Sequence, residues 1–363
     1  MSDDRAWVGT RKGLFELRKA ASGWRIHRVS FLSEPVSALA PPDASGRMFA
    51  ALSLGHFGAK LHASDDGGET WQEMAAPVYP PQPEDAPGPA WTLVQVWTLD
   101  SVLDTQGQPL LLAGTLPGGL FQSADRGASW QLVESLWQRP ERAEWFGGGY
   151  DTPGIHSISQ YPGRPGEWLV SVSCGGVWHT TDAGAGWSLR TEGLSAAYMP
   201  PERANDPRIQ DPHRIARCAG SPEVLWCQHH NGLWRSADNA LSWQELTSAP
   251  VSKFGFAVAA HPRDPLTAWT VPAVADERRI PVDAAFAVQR TRDGGQSFEA
   301  LREGLPQADC YDLVYRHGLD VAADGRHLLM GSTTGHLWAS ANGGDDWQSV
   351  AAHLPPIYAL KFG

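Results

Sequence analysis

Long apolar runs are missing from this sequence of 363 residues. No stretch reaches about 18 consecutive apolar residues, the length that a helix needs to cross a bilayer. The first residues, MSDDRAW, are acidic and lead straight into a strand pattern, unlike a secretory signal with its basic start and apolar segment. We therefore expect a cytoplasmic protein with no membrane span and no membrane partner.

Cysteine and basic residues are also scarce. The four cysteines show no paired metal-ligand spacing, so we expect structural thiols rather than disulfides. Lysine and arginine together number 29 against 40 acidic residues, which gives a net charge of −11. A partner with a phosphate backbone normally requires a basic face, and the sequence therefore argues against a nucleic-acid partner.

One pattern of eight residues recurs along the chain. It reads Ser/Thr-x-Asp-x-Gly-x-Ser/Thr-Trp, with substitutions, and we call each copy an octet. The six octets are residues 64–71, 123–130, 180–187, 236–243, 291–298 and 340–347. An eroded seventh copy ends at Trp24. Self-similarity at a nearly constant spacing is the mark of a repeat architecture, in which each unit stacks on its neighbours.

Short apolar segments bounded by turn residues precede and follow each octet, with no helical periodicity between them. Each repeat therefore supplies four strands, and seven repeats predict an all-β fold, a single seven-bladed β-propeller domain over residues 1–363. The first repeat lacks its inner strand, so we expect the C-terminal segment 356–362 to join the first blade and close the ring. Each octet would form the turn between strands three and four, on one face of the propeller. There the Asp carboxylate accepts backbone N–H bonds and the Gly adopts a positive φ.

These octets resemble the Asp box of BNR-repeat propellers over the whole chain. Sialidases, tandem-propeller xyloglucanases, sortilin-type receptors and the photosystem II assembly factor share that box. The sequence is most similar to bacterial BNR-repeat proteins described as sialidase-like glycosyl hydrolases. This resemblance implies the fold, whereas function has to be argued from a site.

The face opposite the octets is the predicted site. Three links between blades are long there, at residues 75–94, 135–154 and 191–212, and links of such length are usually functional or disordered. Seven inner strands start around one axis, so residues distant in sequence can line one His/Arg-rich pocket. The predicted ligand-binding residues are His56, His156, His213, Arg214, His229, Arg279 and Trp145.

The adjacent residues His229 and His230 cannot both face that axis. Neighbouring side chains on an extended segment point to opposite sides. The predicted histidines near the axis could hold a divalent metal, because imidazole and carboxylate groups suit zinc or a similar ion. Histidine can equally serve as a general acid or base, or as a donor to a sugar or anion. No known ligand spacing decides between these roles.

A sialidase would need three arginines, an acidic proton donor and an activated tyrosine. The sequence Arg279-Ile280-Pro281 spells the arginine motif of sialidases, but its place in the sixth repeat favours coincidence. The candidate catalytic residues are Glu277, Tyr311 and Asp211. If the protein is an enzyme, we expect a hydrolase that acts on glycosidic bonds.

Residues 144–150, EWFGGGY, are the best candidate for a sugar platform, because exposed aromatics beside glycines suit stacking on a ring. A lid packed over the propeller is the alternative for this loop. The sequence predicts a sialidase-like or glycoside-hydrolase-like propeller that binds a polar or anionic small ligand, such as a carbohydrate. The alternative is a non-enzymatic scaffold for protein docking or assembly.

Overall fold

The computed structural model describes residues 4–21, 23–43, 45–86 and 90–363. These residues form strands in the following order along the first half of the chain: β1 (Arg5–Thr10), β2 (Gly13–Ala20), β3 (Gly23–Ser30), β4 (Val36–Ala40), β5 (Met48–Ser53), β6 (Ala59–Ser64), β7 (Gln72–Met74), β8 (Gln95–Leu103), β9 (Pro109–Leu116), β10 (Leu120–Ser123), β11 (Gln131–Leu132), β12 (Ile155–Gln160), β13 (Trp168–Val172), β14 (Gly176–Thr180) and β15 (Ser188–Leu189).

The second half of the chain continues in the same manner. Its strands are β16 (Pro212–Arg217), β17 (Leu225–His229), β18 (Gly232–Ser236), β19 (Gln244–Leu246), β20 (Gly255–Ala260), β21 (Ala268–Pro272), β22 (Val288–Thr291), β23 (Glu299–Leu301), β24 (Leu319–Val321), β25 (Leu328–Gly331), β26 (Leu337–Ser340), β27 (Gln348–Ala351) and β28 (Ile357–Phe362). One short helix, α1 (Glu134–Trp137), and 3-10 turns at Gly55–Phe57, Pro140–Glu144, Pro201–Arg203 and Val282–Ala284 lie between strands of the described residues. None of these helices has the length and apolar character needed to cross a membrane.

All of these strands belong to seven four-stranded antiparallel sheets. Six sheets are consecutive along the chain, and the seventh has the order β28-β1-β2-β3. The sheets are the blades of a seven-bladed propeller, and the C-terminal strand joins the first blade. Both features confirm the fold predicted from the octets and from the missing inner strand of the first repeat.

The chain divides into two compact units. One unit consists of Met1–Ser33, Glu192–Ala204 and His213–Gly363, and the other of Glu34–Thr191 and Asn205–Pro212. We call them the four-blade unit and the three-blade unit after the sheets that each contains. Within each unit the apolar core lies between successive sheets, as in the cluster of Trp269, Phe286 and Trp338. The prediction of a single domain over residues 1–363 stays a prediction.

Each octet forms the turn between the third and fourth strands of its sheet, as the octet at residues 123–130 shows. The Ser123 hydroxyl donates to Asp125 Oδ1 at 2.7 Å and accepts the Gly127 N–H at 2.8 Å. The Ser129 N–H donates to the same Asp125 oxygen at 2.9 Å. Gly127 has φ +86°, a conformation that costs a glycine little. The predicted roles of Asp and Gly are therefore confirmed.

Closing residues of the octets pack between blades to different extents. Trp347 and Trp243 are only 3% and 5% exposed. Trp130 is half-buried, and its indole N–H donates to the backbone oxygen of Ala75 in the preceding blade at 2.9 Å. The four cysteines are all buried and free, as predicted for structural thiols.

Candidate functional site

The two histidines of the 229–230 pair have different neighbours. His229 is fully buried, accepts the Asn231 N–H on Nδ1 at 3.2 Å and packs on Trp234 with ring centroids 4.8 Å apart. His230 is half-buried and its ring lies 5.2 Å from that of His213. The opposite orientation of adjacent strand residues explains the separation. The structure thus brings His230, rather than the predicted His229, to His213.

His213 is held in one orientation by its strand, β16, and by the neighbouring strand β20. His213 is 2% exposed, and its ring stacks on Phe256 with centroids 4.5 Å apart and planes 10° apart. Its Nδ1 lies 2.7 Å from the carbonyl oxygen of Gly255. Because a carbonyl can only accept, Nδ1 carries the proton and donates this bond.

Two arginines place their guanidinium groups near the same phenylalanine. The Cζ atoms of Arg279 and Arg316 each lie 5.3 Å from the centroid of the Phe256 ring. Arg316 is 6% exposed, whereas the Arg279 side chain is 38% exposed and donates to Asp276 Oδ1 at 2.6 Å. A cation near an aromatic face is attracted by the ring quadrupole. Two permanent positive charges therefore lie close to the Phe256 ring.

We call His213, His230, Phe256, Arg279 and Arg316 the Phe256 cluster. All five residues belong to the four-blade unit. Guanidinium groups bind carboxylate or phosphate through two parallel N–H donors, and imidazoles add a donor or an acceptor according to their protonation. Ring nitrogens of His213 and His230 lie within 4.8 Å of each other, close enough to contact one divalent ion. The cluster is chemically suited to an anion or to a polar ligand with several oxygens.

The other predicted residues of the four-blade unit are exposed or half-buried. Glu277 and Tyr311 are exposed, Tyr311 by 59%, and neither belongs to a strand. Arg214 is half-buried on β16, one residue after His213. The guanidinium of Arg279, in the Arg-Ile-Pro motif, already pairs with Asp276 of its own turn. Their catalytic and binding roles stay predictions.

The three-blade unit contains the remaining predicted residues. Asp211 is 1% exposed and accepts the backbone N–H of Cys174 at 3.2 Å. His156 is fully buried, with its Nδ1 3.0 Å from the Ser157 hydroxyl. His56 is exposed in the Gly55–Phe57 turn. The structure therefore places each of these side chains in a different local environment.

Trp145, one of the predicted ligand-binding residues, lines a cleft. It is 7% exposed and packs edge-on against Trp178, with ring centroids 5.8 Å apart. Its neighbour Phe146 is 37% exposed and Tyr150 is 45% exposed. One aromatic side chain of this loop is therefore packed, while two remain at the surface. Its role as a sugar platform or as a lid stays a prediction.

Phe256 and Arg316 were not among the residues that the sequence predicted. Phe256 belongs to β20, where an apolar residue is typical of a buried strand, and Arg316 precedes β24 without any motif. Their importance arises from stacking between residues of separate strands. No signal in the local sequence could have identified either one.

Comparisons with known proteins support the fold. No model of a protein family matches the chain, and no curated protein matches it. A xyloglucanase of glycoside hydrolase family 74 from Xanthomonas campestris has a similar structure, with a TM-score of 0.63 and 19% sequence identity. The alignment covers 96% of this chain and 52% of the xyloglucanase, so the chain spans about half that enzyme's length.

Two further solved structures are similar over nearly the whole chain. A putative 6-phosphogluconolactonase from Bacteroides uniformis has a TM-score of 0.61 and 13% identity, and the alignment covers 100% of both chains. The protein YCF48, solved bound to a D1 peptide, has a TM-score of 0.56 and 13% identity, with 94% of this chain and 91% of that chain covered. Likeness at these identities shows the propeller fold alone.

Proposed function

We propose that the protein binds a polar or anionic small ligand, a carbohydrate, at the Phe256 cluster. The observation that carries this proposal is the placement of the Arg279 and Arg316 guanidinium groups around one ring, with His213 stacked on the same ring. Hydroxyl and carboxylate oxygens are the acceptors that such donors bind. The similar propellers described as a xyloglucanase and a putative lactonase agree with this ligand class.

We also propose that the protein is a member of the sialidase-like BNR-repeat proteins. The octet geometry supports it, since Asp125 and its counterparts hold their turns by side-chain hydrogen bonds. If the protein is a glycosidase, Glu277, Tyr311 and Asp211 remain the candidate catalytic residues. A divalent ion at His213 and His230 is part of this proposal too.

Calorimetric titration of the chelator-treated protein tests the proposal. The titrants are neutral sugars, sialic acid, uronic acids and a zinc salt. For an acidic sugar that binds, Arg279→Gln is expected to weaken affinity at least ~10-fold, because a charge-assisted hydrogen bond is lost. Arg278→Gln is the matched control, since Arg278 is the exposed neighbour in the same turn. Equal loss in both variants, or no loss in either, contradicts a role for the cluster.

Protein docking is the second candidate function, and exposed apolar side chains favour it. Val78 and Val94 are 80% and 55% exposed, and both belong to the long link 75–94 of the three-blade unit. Exposed apolar groups can mark an interaction surface. A pull-down with purified protein from the native host, repeated with Val78→Asp/Val94→Asp, tests this function. Recovery of the same proteins with both baits would count against docking at this link.

A further inference from the structure

A cleft of about 470 Å³ lies in the three-blade unit. Its lining residues include Trp91, Trp137, Trp145, Arg139 and Arg142. This volume is within the range of small-molecule sites, which are mostly apolar with a few polar groups. We call it the tryptophan cleft. None of its lining residues belongs to the Phe256 cluster.

The long links predicted from the sequence build this cleft. The link 75–94 supplies Trp91, and α1 ends at Trp137. The 3-10 turn Pro140–Glu144 begins with a proline, which suits a first helical position, and presents Arg142. Gly118, in the turn between β9 and β10, lets Trp145 approach closely, because a Cβ there would lie 3.3 Å from Trp145 Cε3.

Arg142 is the unusual group in the cleft. Its Nε donates to the backbone oxygen of Trp137 at 2.9 Å, and its Cζ lies 3.6 Å from the centroid of the Trp137 ring. Burial lowers the pKa of its guanidinium. No carboxylate forms an ion pair with Arg142 in the described part of the chain. By contrast, Arg139 is paired with Glu141 at 2.7 Å.

A half-buried cation without a counter-charge is costly, and an anionic ligand would offset that cost. Trp137 and Trp145, which line the cleft, are each only 7% exposed. The cleft therefore combines a positive charge that has no counter-ion among the described residues with aromatic walls. It is complementary to a ligand that brings acceptor oxygens and a flat face.

We propose that the tryptophan cleft binds a six-membered ring that carries a carboxylate. The carboxylate pairs with the Arg142 guanidinium, and the ring lies against Trp91, the half-buried indole whose centroid is 5.2 Å from that of Trp137. Stacking on an indole suits the face of a sugar ring or of an aromatic ring. The same chemistry can come from a uronic acid or from an aromatic carboxylate.

Calorimetric titration with D-glucuronate, benzoate and the neutral analogue D-glucose tests this inference. We expect at least one carboxylate to bind at least ~10-fold more tightly than glucose, because Arg142 adds a charge-assisted bond. Tighter binding of glucuronate identifies a sugar site, and tighter binding of benzoate identifies an aromatic one. Binding of neither carboxylate, or equal binding of glucuronate and glucose without benzoate binding, overturns the proposal.

Variants locate the binding at this cleft. Arg142→Gln is expected to remove the preference for the carboxylate, and Arg142→Lys to retain part of it, because lysine keeps the charge and loses the planar fork. Arg164→Gln is the matched control. Arg164 also lies over an aromatic ring, 3.9 Å from Tyr161, but pairs with Glu167 and is not part of the cleft walls. Unchanged affinity in folded Arg142→Gln overturns the proposal, whereas an effect of Arg279→Gln alone would assign the ligand to the Phe256 cluster.

Discussion

The third and seventh positions of the octets exchange roles in one copy. In the octets at 123–130 and 291–298, the seventh-position hydroxyl of Ser129 or Ser297 donates to the third-position carboxylate at 2.6 Å. In the octet at 340–347, Asn342 occupies the third position and its Nδ2 donates to Asp346 Oδ2, also at 2.6 Å. The bond is kept while donor and acceptor change places. Asn342 is thus a compensated substitution rather than a decayed one.

Changing Asn342→Asp is expected to destabilise the protein by roughly 1 to 3 kcal/mol, because a hydrogen bond is replaced by two opposed carboxylates. Adding Asp346→Ser restores the arrangement of the other octets and should recover most of that loss. The urea midpoint of each variant at neutral pH measures both effects. A double variant no more stable than Asn342→Asp would show that the exchange is not compensatory.

The sequence predicted the arrangement of some residues in the Phe256 cluster only in part. Strand alternation predicts that His229 and His230 face opposite sides, but the choice between them depends on the β17–β18 register, in which His229 pairs with Gly232. Phe256 could be predicted as a core residue of its strand, although not as the ring that stacks on His213. That contact joins residues of separate strands, so local pattern carries no information about it.

Strand β28 was predicted because the first repeat lacks its inner strand. The first repeat lacks one strand, and β28 pairs with β1 through residues such as Leu360 opposite Val8. Its apolar residues pack between sheets of the four-blade unit, where Ile357 is fully buried. A Cβ on Gly331 would lie 2.7 Å from Ile357 Cδ1, so the contact with strand β25 is tight. The helix α1 could not be predicted, because a single turn shows no periodicity.

Truncating Ile357→Ala should cost about 2 to 5 kcal/mol, and Ile357→Val about 0.5 to 1.5 kcal/mol, in proportion to the cavity that each leaves. Lys361→Ala on the same strand is the control, because Lys361 is only half-buried. Chemical denaturation of the three variants gives the comparison. If Ile357→Ala and Lys361→Ala cost the same, β28 would not contribute to the core through Ile357.

At the scale of the whole molecule, repetition made the fold predictable and left the site obscure. Every octet adds an independent indication of the same turn, so one degraded copy, such as that ending at Trp24, does no harm to the prediction. The Phe256 cluster and the tryptophan cleft depend on residues that occur once each. Trp145 was predicted as a ligand-binding residue, whereas Arg142 follows no motif and became visible only through its contact with Trp137.

The octets also determine how the molecule should respond to acid. Hydrogen bonds, first from the Ser129 and Ser297 hydroxyls and then from their backbone N–H groups, lower the pKa of Asp125 and Asp293 to about 2. An unfolded Asp has a pKa near 3.9. Because the folded pKa is the lower one, this stabilisation is fully present above about pH 4 and is lost as the pH falls through about 2. The double variant Asp125→Asn/Asp293→Asn should therefore show a smaller fall in urea midpoint between pH 5 and pH 2.5 than the unmodified protein. Asp85→Asn, at an exposed position, should keep the full fall; an equal fall in the double variant would place the acid sensitivity outside these two octets.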